Sequence, residues 1–153
     1  MNPMLRAIEL SKEMMESNQG GPFGAVIVKD GKIIAEGWNQ VTSSLDPTAH
    51  AEVQAIRKAC EELGSFSLEG CEIYTSCEPC PMCLSAVYWA RLDKIYYGNG
   101  REDAARIEFD DDFLYKEISQ PIEKRKIPME QINHGEALKV FKAWAEKSDK
   151  IQY

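Results

Sequence analysis

At 153 residues, with 44% hydrophobic and 28% charged side chains, the chain is one domain with enough apolar material for a real core, which excludes disorder. Its net charge of −7 argues against nucleic acid as a partner, because a protein that grips a phosphate backbone presents a basic face. No apolar stretch nears the ~20 residues that span a bilayer, no N-terminal signal is evident, and five cysteines make an odd count, so the expected setting is reducing and cytoplasmic, with no membrane partner.

In chain order, Met4, Leu5, Ile8, Met14 and Met15 recur at mostly helical spacing, and Gly20-Gly21-Pro22 ends that segment. Phe23 to Lys29 reads as a strand, Asp30-Gly31 as a two-residue hairpin turn, and Lys32 to Trp38 as the returning strand. A polar loop over 39–47 leads to a second helix, with Thr48 as its N-cap and His50 in its first turn. Val53, Ile56, Cys60 and Leu63 supply its apolar spacing, and Gly64 closes it. Cys71 to Thr75 is a third strand that delivers the chain to the cysteine-rich turn before a helix running to about Ala90. Lys94 to Gly98 is a fourth strand. This alternation predicts an α/β class with at least one parallel pair after the opening hairpin.

The C-terminal third is less regular. Asp110-Asp111-Asp112, between Phe109 and Phe113, reads by default as a solvated turn or helix N-terminus, though the flanking aromatics set it apart. Residues 127–133 read as a further strand, and Gly135 to Lys147 as an amphipathic helix through Leu138, Phe141, Trp144 and Ala145.

The chemistry concentrates in Thr75-Ser-Cys-Glu-Pro-Cys-Pro-Met-Cys83, with three cysteines and two prolines within Cys77–Cys83. A Cys-x-x-Cys turn lets two thiolates reach one zinc ion. Two such pairs overlap, and Cys80/Cys83 is preferred over Cys77/Cys80 because it straddles a helix start at Pro81. The positive end of that helix favours deprotonated sulfur. Only two histidines exist, His50 and His134, and His50 is followed by Glu52. Two positions apart on a helix is ~200°, so His50 and Glu52 converge only on a metal placed end-on, beyond the helix N-termini. His50, Cys80 and Cys83 would leave one tetrahedral position open, as catalytic zinc sites do, with Glu52 free to move protons.

Other readings of these cysteines remain. Cys77 or Cys71 as a fourth ligand would make a closed structural site. Cys77, Cys80 and Cys83 also match the start of an iron–sulfur pattern, whose fourth place is occupied by Val87. Cys60 and Cys71 are most simply buried small hydrophobes.

His-x-Glu followed downstream by Pro-Cys-x-x-Cys resembles the signature of the cytidine deaminase-like superfamily of zinc enzymes. A histidine first ligand argues against its free-cytidine branch. Gly21-Pro-Phe-Gly-Ala25, Asp46-Pro-Thr-Ala-His-Ala-Glu52, Tyr88-Trp-Ala-Arg91 and Phe109 to Ile118 together are similar to the bacterial guanine deaminases, from about Gly21 to the terminal tyrosine. The resemblance implies a three-layer α/β/α sandwich with a mixed central sheet, one zinc per chain, and hydrolysis of guanine to xanthine and ammonia. It also implies a homodimer whose C-terminal part, about 101–153, is exchanged between subunits. Carried over by position, His50, Cys80 and Cys83 hold zinc and Glu52 is the proton shuttle. Asn39 and Asp111 orient the purine, Phe23 and Trp89 flank its ring, and Tyr153 lies near the entrance. The chemistry agrees, since a carboxylate is acceptor-only and suits the adjacent N1–H and C2 amino donors of guanine. Two competing readings are another nucleobase or nucleoside deaminase, including one acting on tRNA adenosine, and a catalytically silent zinc scaffold, against which the intact Glu52 speaks.

Overall fold

The computed structural model describes residues 1–153, which divide into two compact units, Met1–Tyr115 and Lys116–Tyr153. The first unit is built on a four-stranded sheet of β1 (Gly24–Lys29), β2 (Lys32–Trp38), β3 (Cys71–Cys77) and β4 (Lys94–Asn99), in the spatial order β2-β1-β3-β4. β1 runs antiparallel to both neighbours, and β3 and β4 are parallel, so the sheet is mixed as expected. Asp30 and Gly31 both take positive φ, 50° and 75°, which is why this dipeptide closes the β1–β2 hairpin.

Alternation along the strands makes two cores. Ala25 and Ile27 of β1 and Ile73 of β3 face one side, with Ala51, Ala55 and Ala59 of α3 (Ala51–Leu63) and Val87 of α4 (Pro81–Trp89). Val26 and Val28 face the other, against Leu10 and Met14 of α1 (Pro3–Glu16). The result is the expected three-layer α/β/α arrangement. Ile27 and Ile73 are wholly buried, and each such burial contributes about 1.5–3 kcal/mol. α1 is tied to the sheet by Arg6, whose Nε and Nη2 donate to the two oxygens of Glu36 at 2.8 and 3.0 Å.

Two close approaches set the position of α3. A Cβ on Gly37 of β2 would stand 2.2 Å from the Ala51 carbonyl and 2.5 Å from the Ala55 nitrogen, so only glycine lets the start of α3 lie flat on the strand. Gly64, at φ 61°, ends the helix as its left-handed cap. A short helix, α2 (Val41–Ser44), occupies part of the loop between β2 and α3.

After β4 come α5 (Arg101–Arg106) and α6 (Asp111–Ile118). The aspartate run is thus a helix N-terminus: Asp110 accepts from the Phe113 N–H at 3.0 Å, and Asp111 opens the first turn. The second unit contains a short 3-10 helix, Ile122–Lys124, and α7 (His134–Glu146). The strand expected over 127–133 does not form. Pro128 removes a donor there, and Asn133 turns left-handed at φ 53°. The unit boundary falls after Tyr115, so residues 101–115 group with the first unit. No helix is long and apolar enough to cross a membrane.

Candidate active site

The site lies where the parallel strands end and two helices begin, the usual place for chemistry in an open α/β sheet. His50 is the N-cap of α3 and Cys80 the N-cap of α4, both extended, and neither side chain caps its own helix. His50 therefore stands one step before the first turn anticipated from sequence. Thr48 is not the cap because Asp46 holds it, accepting from its N–H at 2.8 Å and its hydroxyl at 2.6 Å. Pro81 takes the first position of α4, and Cys83 follows in its first turn. His50 and Glu52, two positions apart at the N-terminus of α3, both line one cleft.

His50, Cys80 and Cys83 bring one ligand atom each within 4.8 Å of one another. His50 Nδ1 lies 3.6 Å from Cys80 Sγ and 3.5 Å from Cys83 Sγ. Zinc bonds of ~2.3 Å to sulfur and ~2.0–2.1 Å to nitrogen put the N···S edge of a tetrahedral site near ~3.5–3.6 Å, so the donor set fits that ion. The protons tell the same story. The hydrogen bond from the Cys83 thiol, with help from His50, holds Cys80 down at about 4 against its burial. Cys83 is pushed far up, first by that same hydrogen bond and then by burial. His50 is raised chiefly by its contact with Cys80. Three donors crowded onto shared protons are a set that one divalent cation satisfies.

Cys77 lies outside this cluster. Burial first, and then nearby carboxylates, push its thiol up to about 12, which disfavours the thiolate a metal requires.

Glu52 sits in the first turn of α3 and is 5% exposed. Burial raises its carboxyl above the ordinary carboxylate range, partly opposed by a hydrogen bond from Thr75 Oγ1 to Oε1 at 2.8 Å. The same hydroxyl lies 3.0 Å from the Cys77 carbonyl, tying Glu52 to the end of β3.

A cleft of about 490 Å³ opens over these groups, and His50, Glu52 and Cys80 share its walls with Phe23, Asn39 and Asp111. Asn39 is 6% exposed, and its Oδ1 accepts from the N–H of Gly21 and Val41 at 3.1 and 3.2 Å. A Cβ on Gly20 would meet the Asn39 carbonyl at 2.1 Å, so glycine there permits the loop to close on Asn39. Asp111 is half-buried, and its carboxyl is raised to about 6, by burial first and by the charge of Cys80 second.

Sequence reasoning missed three contributors. Phe109 lines the cleft edge-on to Phe23, with ring centroids 4.9 Å apart at 89°. Its position beside the aspartate run was the available signal. Glu78 also lines the cleft, and Thr75 had been read only as a strand residue. Conversely, Trp89, expected to flank the ring, is absent from the lining of this cleft and is 63% exposed at the end of α4. Tyr153 ends the second unit and is exposed.

A His/Cys/Cys donor set with both cysteines buried and an acid nearby, at the N-termini of two helices over a mixed sheet, defines a zinc-dependent hydrolytic deaminase. The cytidine and deoxycytidylate deaminase zinc-binding region matches residues 2–99, and the chain belongs to that family. It is 57% identical to guanine deaminase of Bacillus subtilis over 97% of this chain and 95% of that protein. A solved structure of Bacillus subtilis guanine deaminase superposes with a TM-score of 0.96 at 55% identity, covering 100% of this chain and 99% of that one. Similarity to the tRNA-specific adenosine deaminase of Agrobacterium fabrum is 48% but spans only 50% of this chain and 51% of that protein. Zinc is the metal this family binds, and His50, Cys80 and Cys83 are the cluster that could hold it.

Proposed function

We propose that this chain is a zinc-dependent guanine deaminase, converting guanine and water to xanthine and ammonia. The observation that supports it is one cleft lined by His50 and Cys80, the buried acid Glu52 and a second carboxylate, Asp111, together with similarity to guanine deaminase over nearly the whole chain. Zinc, when bound, supplies the Lewis acidity that makes water nucleophilic near neutral pH. Glu52 takes the proton from water attacking C2, passes it to N3 of the ring, and returns one to the departing amine. Its burial favours the protonated form between those transfers.

Asp111 offers two acceptor oxygens to the adjacent N1–H and C2 amino donors of guanine, a pair that adenine lacks. Asn39 contributes its Nδ2 donor, because its Oδ1 is already engaged by two backbone N–H groups, and so suits an acceptor such as O6 or N7. Phe23, braced by Phe109, stacks on the ring.

We further infer a cytoplasmic homodimer, since a reducing setting keeps Cys80 and Cys83 as thiols. Exposed apolar side chains in each unit call for cover: Tyr88, Trp89 and Tyr97 in the first, Ile132, Phe141 and Trp144 in the second. Exchange of the C-terminal segment between subunits would supply that cover and bring Tyr153 to a neighbour's entrance. Activity against guanine, guanosine, adenine and cytosine, read as ammonia release, tests the substrate; sedimentation tests the dimer.

A further inference from the structure

The turn that presents Cys80 is fastened to α5 and α6 by a closed circuit of side chains. Tyr115 Oη donates to the Pro79 carbonyl at 2.6 Å. Arg101 donates from Nε and Nη2 to Glu78 Oε2, at 3.1 and 3.0 Å, and from its backbone N–H to Glu78 Oε1 at 3.2 Å. The Arg101 guanidinium lies 4.0 Å over the Tyr115 ring, a cation–π distance. Glu78 itself is pinned, its N–H donating to the Asn99 carbonyl at 2.7 Å. The two residues before Cys80 are thus held by one residue of α5 and one of α6.

Tyr115 is four residues after Asp111 on α6, one turn along the same side of the helix. An anchor at Tyr115 therefore fixes where Asp111 enters the cleft relative to Cys80. The circuit also separates Glu78 from Asp111, which line that cleft along with Glu52. Glu78 spends both oxygens on Arg101, which leaves Asp111 as the acceptor for a ligand with paired donors.

We infer that Tyr115 is a positioning residue for purine selection, acting through Asp111 by anchoring α6 to the metal-bearing turn, with Arg101 holding both ends of the anchor. This rests on Asp111 being the acceptor for the purine edge. Tyr115 is not among the residues lining the cleft, and the zinc donors are carried by α3 and α4 rather than by its hydroxyl.

In a Glu52→Gln background turnover is slowed by ~10²–10⁴, so guanine binding can be read as a Kd before it is consumed. Tyr115→Phe keeps the ring beneath Arg101 and removes only the hydroxyl. The expected result is a Kd raised roughly two- to tenfold, the range spanned by one net hydrogen bond, with zinc content and thermal midpoint unchanged. Added to Asp111→Asn, Tyr115→Phe should weaken binding little further, because the two residues act as a unit. Arg101→Met, which opens the other side of the circuit, should show the same shared penalty and serves as a second probe if Tyr115→Phe folds poorly. An unchanged Kd in Tyr115→Phe, or a penalty undiminished when Asp111 is already Asn, overturns the proposal and leaves the reading of Asp111 intact. Asp111→Asn binding guanine as tightly as its parent would overturn that reading and this inference together.

Discussion

His50 and Cys80 face each other from the N-caps of two different helices, with Nδ1 and Sγ 3.6 Å apart, and neither spends its side chain on its own cap. That relationship makes the site. Both helix N-termini point positive ends at one spot, which favours thiolate sulfur there, and the sulfurs in turn hold the cation. The open side of the cluster faces the cleft that Glu52 and Asp111 also line.

Metal content should follow the donor set. Cys83→Ala is expected to lose zinc, whereas Cys77→Ser, changed outside the cluster, is expected to retain about one ion per chain. Elemental analysis of the purified variants reads this directly, and the opposite pattern would reassign the pair to Cys77 and Cys80.

Glu52→Gln should keep zinc and fold while losing ~10²–10⁴ in kcat, the usual contribution of a positioned acid–base group. Thr75→Val, which removes the donor 2.8 Å from Glu52 Oε1, should cost less, about ten- to a hundredfold. Steady-state rates with zinc content measured in parallel decide it; near-normal turnover in Glu52→Gln would contradict the proton-transfer assignment.

The pH dependence should carry the mark of Asp111, whose carboxyl is raised from 3.8 to about 6. It must be ionised to accept from guanine, so kcat/KM should fall as pH drops through about 6, and Asp111→Asn should abolish that limb. Linkage runs the other way for stability. A raised carboxyl favours the folded state below its unfolded pKa, and that contribution is lost as pH rises through about 6. Thermal midpoints should therefore favour Asp111→Asn over wild type at pH 7.5 more than at pH 4. An acid limb near 4 would show that Asp111 ionises without hindrance.

Much of this was legible from sequence because it is local. Pro81 beside Cys80, the Cys-x-x-Cys spacing, Asp30-Gly31 and the alternating strands each act within a few residues. What failed depended on competing partners or on tertiary placement. Thr48 looked like a cap until Asp46 claimed it. The apolar residues of 127–133 suggested a strand, but Pro128 and the left-handed Asn133 work against a ladder there. Thr75 and Tyr115 lie within motif-bearing phrases, but their particular roles rest on contacts to residues 23 and 36 positions away, which those phrases do not show.

Subunit exchange makes a separable claim. Asp111 lines the cleft of its own chain, so mixing Glu52→Gln and Asp111→Asn subunits should restore no activity. If Tyr153 serves a neighbour's entrance, mixing Glu52→Gln with an inactive Tyr153 deletion should restore about a quarter of wild-type activity, because half the dimers are mixed and each has one intact site. Mass analysis must show that mixed dimers formed. With those dimers present, recovery in the first pairing, or none in the second, would contradict this division of the site.

The most direct test is to give the purified zinc-loaded protein guanine, and separately a tRNA bearing the wobble adenosine, and to measure xanthine, inosine and ammonia. Xanthine and ammonia should appear in equal amounts from guanine, with no inosine formed in the tRNA. Inosine in the tRNA without xanthine from guanine would contradict the account.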